Sequence, residues 1–284
     1  MTRLTTFLAA CWFAMPCLAG DLPAVKLDDA GAEPRVALRY QPRFGFDQNV
    51  TMKVKSKLET EAAGNQMAMP QAPGLMVQMV IKIDFISDQG DVNLTALIND
   101  VKVDPDDVKT PPQITEVYGK MAKTLNGSSA TLTLDARGRL KSGPDVTLAP
   151  GADPTMGESV TSHFRSLAIP LPEEPVGPGG SWSTTHTQDQ NGARLKVVTT
   201  YTLKESQGGT LKLDVKVTGK LAVSNGGQGP ELGIQVGGGG KAEFTLERVA
   251  PLGVVHKMVV SMNVPGPKPM KTTSTMHMLL KSSD

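Results

Sequence analysis

The chain has 284 residues, with 29 Lys and Arg against 28 Asp and Glu, and only 4% aromatic residues. So balanced a charge gives no electrostatic reason to bind nucleic acid or an anionic membrane, and the few aromatics leave little to stack against bases. Its length is enough for one large core or two modest ones.

Residues 1–20 open with Arg3, continue through an apolar run from Phe7 to Leu18, and close on the small residues Ala19 and Gly20. This order predicts a secretory signal peptide and a mature chain starting near Asp21. The run is shorter than the about 20 apolar residues a spanning helix needs, so no transmembrane segment is expected in the mature chain. Leu8-Ala9-Ala10-Cys11 also fits a lipoprotein signal, but little apolar sequence precedes it, which favours Cys11 as part of the leader. Cys11 and Cys17 are the two cysteines of the chain, and cleavage would leave a mature protein with neither disulfide nor thiolate. The expected location is periplasmic or extracellular, with anchoring through a lipidated Cys11 as the lesser alternative.

Residues 21–43 are polar and interrupted by prolines, which predicts an N-terminal tether or edge segment. From residue 44 onward the apolar period is two. Met52, Val54 and Leu58 alternate with charged or hydroxyl residues, as on a half-buried strand. Two further strands meet at a turn around Asp88–Asp91, the second alternating Val92, Leu94, Ala96 and Ile98. Ile114, Val117, Tyr118, Met121 and Leu125 fall at helical spacing. A second short helix is predicted after Asp153 and Pro154, with Met156, Val160, Phe164 and Leu167 on one face.

From Trp182 the strand pattern restarts. Leu211, Leu213, Val215 and Val217 alternate after a turn at Gly208-Gly209, and Gly209 aligns with Gly90. Gly253 matches Gly138, and Trp182 matches Phe44-Gly45-Phe46. The expected organisation is therefore two diverged meander repeats, 44–142 and 182–284, joined by a helical and Pro/Gly-rich connector, 143–181. The fold class is mainly β, an antiparallel curved sheet or sandwich with two short helices.

Motifs that carry chemistry are scarce. The glycine-rich run ending in Gly240-Lys241 lacks the hydroxyl residue and the following helix of a phosphate loop, and reads as a flexible surface loop. Met276-His277-Met278 has soft donors suited to Cu(I), but on a strand His277 points away from both methionines. Asp104-Pro105-Asp106-Asp107 lacks the glycine and distal Glu of a calcium loop and reads as a solvated turn. His163, His186, His256 and His277 sit in no metal-ligand spacing, and no nucleophile elbow is present. No metal or cofactor is expected.

The segment Leu171–Trp182, "LPEEPVGPGGSW", is the most distinctive stretch. Together with the Met-rich alternating strands and the strand–turn–strand "LTLDARGRL", it resembles an uncharacterised family of exported bacterial β-rich proteins with a mid-chain LPEKPV-x-x-G-x-SW-like motif. The resemblance covers about residues 36–281. Family members carry an acidic residue where Gly180 stands. The resemblance implies export and a β fold, and brings no catalytic residue or ligand with it. The residues themselves predict that Trp182 plugs the end of the sheet, the alternative being display to a partner.

Three functions follow from this. The first is a non-catalytic cell-envelope protein that binds or carries an apolar ligand, such as a lipid or lipoprotein chain. Its apolar face would comprise Met52, Val54, Met79, Ile81, Leu94, Val215 and Met278. The second is a structural or protein-interaction module of the envelope without a small-molecule site. An enzyme, with His256 or His163 near a carboxylate, ranks below both. The partner expected is an apolar small molecule or an envelope protein.

Overall fold

A computed structural model describes residues 24–67, 69, 71–104, 110–154, 157–165, 167–190, 193–223, 233–264 and 269–283. The predicted signal segment, Cys11, Cys17 and Met156 lie outside these residues. Thirteen strands form one antiparallel sheet. They are β1 (Ala24–Asp29), β2 (Asp47–Ala62), β3 (Asn65–Met67), β4 (Leu75–Ile86), β5 (Val92–Val103), β6 (Ser129–Leu134), β7 (Leu140–Thr147), β8 (Ser181–Gln190), β9 (Ala193–Gln207), β10 (Thr210–Val223), β11 (Gly233–Thr245), β12 (Gly253–Val264) and β13 (Met270–Ser283). Their order across the sheet is β1-β8-β9-β10-β11-β12-β13-β2-β4-β5-β6-β7, with β3 paired to β2 alone. The sheet is not closed: β1 and β7 are its two edges.

Curling follows from the packing. Six inter-strand steps separate β8 from β2, on the order of 29 Å in a flat sheet at about 4.8 Å per step. Yet Trp182 on β8 and Val50 on β2 belong to one buried cluster. The sheet therefore wraps its apolar face inward. Along β4 and β5 strict alternation puts Val77, Met79, Ile81, Val92, Leu94, Ala96 and Ile98 inside, as the period of two requires.

β13 pairs with β2 over fourteen consecutive positions, Met270↔Ala62 to Ser283↔Asn49, so both meanders share one sheet. Phe44 is 70% exposed and Trp182 fully buried, so the two aromatics matched by sequence differ in their surroundings.

The helical regions differ in weight. α1 (Pro112–Lys123) starts with Pro at its first turn and ends with Lys120 and Lys123 in its last, which complements the helix dipole. It lies on β5 and buries Ala122 and the following Leu125, whereas Val117 is 64% exposed. Its packed face is thus confined to its C-terminal end. α2 (Gly157–Arg165) is a nine-residue stretch that buries Val160 and Phe164.

Of the two readings of residues 21–43, the described part takes the edge segment: β1 pairs with β8 at the sheet's edge, Val36 bridges Val176, and Leu38 and Tyr40 are buried. Two further expectations are corrected. The glycine run 237–240 is not a surface loop but the middle of β11, paired on both sides; residues 224–232 lie outside the described residues. Asp104 is not in a solvated turn: it is 1% exposed and pairs with Lys53 at 3.2 Å and Lys55 at 3.3 Å, which offsets the cost of burying its charge. Residues 105–107 are not among those described.

Candidate ligand-binding cavity

One end of the curled sheet is stoppered. Trp182 is fully buried, its indole N–H donates to the Pro170 carbonyl at 2.7 Å, and its ring stacks on Tyr201 at 5.7 Å. Beside it, Tyr40 donates its hydroxyl to the Ile169 carbonyl at 3.1 Å and accepts from the Ile169 N–H at 3.2 Å. Burial pushes the Tyr40 phenol well above its ordinary range. The Trp182 side chain is a plug, as the sequence predicts, and not a displayed contact.

The Pro/Gly motif serves this closure. Gly177 N–H donates to the Ala30 carbonyl, and Ala32 N–H to Pro178, so the motif threads against residues 30–32. A Cβ on Gly180 would sit 2.6 Å from the Val176 side chain and 2.8 Å from the Ala30 carbonyl oxygen. A glycine at position 180 is therefore required by close packing in this chain.

Below the plug the concave face encloses a cavity of about 480 Å³, inside the 300–1,000 Å³ range typical of small-molecule sites. Cross-strand register explains its wall. The rows Tyr201–Val215–Gly240–His256–Met278–Val54 and Thr199–Val217–Gly238–Met258–Met276 run across β9, β10, β11, β12 and β13, the first continuing onto β2; directly opposed residues share a face. Val160 and Phe164 of α2, with Leu167 to Pro170, cover the opposite side.

A Cβ on Gly240 would collide with the Val255 carbonyl oxygen, and one on Gly238 would lie 2.6 Å from that of Lys257. Only glycine lets β12 bend this closely over β11. A Gly run, read from sequence as flexibility, is here a close backbone approach between two paired strands.

Of the seven residues predicted for the apolar face, Met52, Met79, Val215 and Met278 line the cavity. Val54 packs against the core half-buried, and Ile81 and Leu94 are filled core at 0% and 1% exposure. Sequence reasoning missed Val217, Met258 and Phe164; alternation marks them as inward but cannot say which inward residues face a void.

A few polar groups interrupt this wall. His256 is 8% exposed, and its Nε2 has no hydrogen-bond partner; burial lowers its pKa. His186, also in the wall, is lowered for the same reason. Burial pushes the Tyr201 phenol up to about 12, partly offset by the Thr184 hydroxyl. Among the described residues neither histidine forms an ion pair with a carboxylate, and the His163 side chain is outside them. On β13, Met276 is buried while His277 is exposed on the other face, so those two do not converge. Among the described residues no group of three His, Cys, Asp or Glu could hold a metal, and no helix is long and apolar enough to cross a membrane.

Comparison with known proteins places this geometry only loosely. A family of unknown function (DUF6263) matches residues 155–248, which include α2, the closing motif and β8 to β11. No curated protein matches the chain. A solved outer membrane channel from Pseudomonas putida F1 aligns over 86% of this chain and 98% of its own, at 8% identity and a TM-score of 0.17, a score that carries no argument about fold.

Proposed function

We propose that this is an exported, non-catalytic cell-envelope protein that binds an apolar ligand inside its curved sheet. The observation that carries the reading is the 480 Å³ cavity lined mainly by Val, Met, Leu and Phe side chains. Concave, mostly apolar clefts of this size are where small molecules bind. Methionines such as Met52, Met79, Met258 and Met278 supply an adaptable wall.

Titration with the fluorescent apolar probe N-phenyl-1-naphthylamine tests it. The expected result is saturable one-to-one binding that Val217→Phe, which fills the hollow, reduces at least tenfold. Absence of saturable binding, or binding indifferent to Val217→Phe, overturns the reading in favour of a structural or interaction module.

A further inference from the structure

Resting on that reading, the lining carries a second message in its charges. The chain as a whole is balanced, yet the charged residues lining the cavity are Arg139, Lys141, Arg165 and Lys241; among the described residues no Asp or Glu joins them. Three of the four gather on one side. Arg139 and Lys141 lie at the start of the edge strand β7, and Arg165 ends α2, which packs on that strand. The sheet is not closed, and both its edge strand β7, through Leu140 to Gly143, and His186 of β8 border the cavity. This gap between the edges is the mouth.

The rim cations are not equivalent. Arg139 pairs with Asp135 at 2.7 Å and Lys141 with Asp91 at 2.6 Å, carboxylates that do not line the cavity. Arg165 is exposed and has no ion-pair partner among the described residues. Among the described residues no carboxylate compensates its charge, and it stands beside Phe164, which lines the hollow.

We infer that the ligand is an anionic amphiphile: an apolar chain lying along the Met- and Val-lined wall, with its single negative head group held at the mouth by Arg165. A guanidinium there can accept a carboxylate or phosphate as a bidentate partner. A neutral or cationic head would gain nothing from this rim.

Four probes with the same sixteen-carbon chain separate the possibilities: palmitate, hexadecyl phosphate, hexadecanol and hexadecyltrimethylammonium, each displacing N-phenyl-1-naphthylamine from the full chain. The two anions are expected to bind roughly tenfold more tightly than the alcohol, with the advantage falling as salt rises. Whichever anion is preferred identifies a free fatty acid or a phosphate-headed lipid as the source. Arg165→Gln should remove the anion advantage and leave hexadecanol unchanged; Lys57→Gln, on an exposed residue that does not line the cavity, should change neither. Equal binding of acid and alcohol, without salt dependence, overturns the inference and leaves an apolar-ligand protein standing. Failure of all four, hexadecanol included, overturns the proposed function itself.

Discussion

The two halves of the concave face are built from the same alternating strands and end differently. On β4, β5 and β6 the inward positions hold Ile81, Leu94, Ala96, Ala130 and Leu132, all 4% exposed or less. On β10, β11 and β12 they hold Val215, Val217, Ala242, His256 and Met258, which line a hollow. Hydrophobicity does not separate them. Position along the strands does: β4 and β5 themselves reach the hollow at Val77, Met79, Ile98 and Val101, and close into filled core at Ile81, Leu94 and Ala96.

The stopper between the halves should give the largest effect. Trp182→Ala removes a fully buried indole, leaves the Pro170 carbonyl without its donor, and strips the stacking partner from Tyr201. We expect a loss of about 4 kcal/mol in urea unfolding. A loss below about 1 kcal/mol would mean that the plug is dispensable and the closed end is held elsewhere.

Curvature comes next. Gly240→Ala places a methyl against the Val255 carbonyl, whereas a Cβ on Gly237, on the opposite face of the same strand, meets nothing within 4 Å. Gly240→Ala should cost about 3 kcal/mol by overpacking, and Gly237→Ala should be neutral or stabilising by about 0.5 kcal/mol through reduced unfolded-state freedom. Equal effects at the two positions would show that the glycines act through chain flexibility and not through the bend.

These cases also mark how far the sequence can be read. Alternation exposed the strands, the turns at Gly90, Gly138 and Gly209, and the burial of Trp182, because period and turn chemistry are local. It misplaced the glycine run: in isolation Gly237–Gly240 looks like a loop, and only pairing with β10 and β12 shows why a side chain is excluded. The mouth was illegible for a similar reason. Arg139, Lys141 and Arg165 converge only through the packing of α2 on β7, and nothing in their spacing announces it. Leu38 and Tyr40 were hidden too, since Pro-rich polar flanks disguise residues that anchor the plug.

A matched pair of smaller substitutions tests the filled and hollow halves directly. Ala96 on β5 and Ala242 on β11 are both inward and buried, but only Ala242 lines the cavity. Ala96→Leu should cost about 2 kcal/mol, since there is no space for the added carbons. Ala242→Leu can extend into the void and should stay within about 0.5 kcal/mol of the parent, or gain slightly as cavity-filling changes do. It should also weaken probe binding. If both cost the same, the hollow does not persist in solution.

The smallest effect concerns pH and is confined to the hollow half. His186 and His256 have pKa values lowered from 6.5 by burial. His256 is flanked across the sheet by Gly240 and Met278, neither of which can titrate or stabilise an imidazolium. Above pH 6.5 both histidines are neutral in the folded and the unfolded chain, and they add no pH dependence. As pH falls below 6.5 the unfolded chain takes up protons that the folded chain resists, so stability declines towards the depressed folded values. The decline should be measurable in urea midpoints between pH 6.5 and about 5, before most carboxylates titrate. His256→Gln keeps a polar group in the wall but cannot take the proton, so it should flatten part of that decline. An unchanged slope in His256→Gln would mean that the buried imidazole reaches water through the cavity, and that the hollow is wetter than its lining suggests.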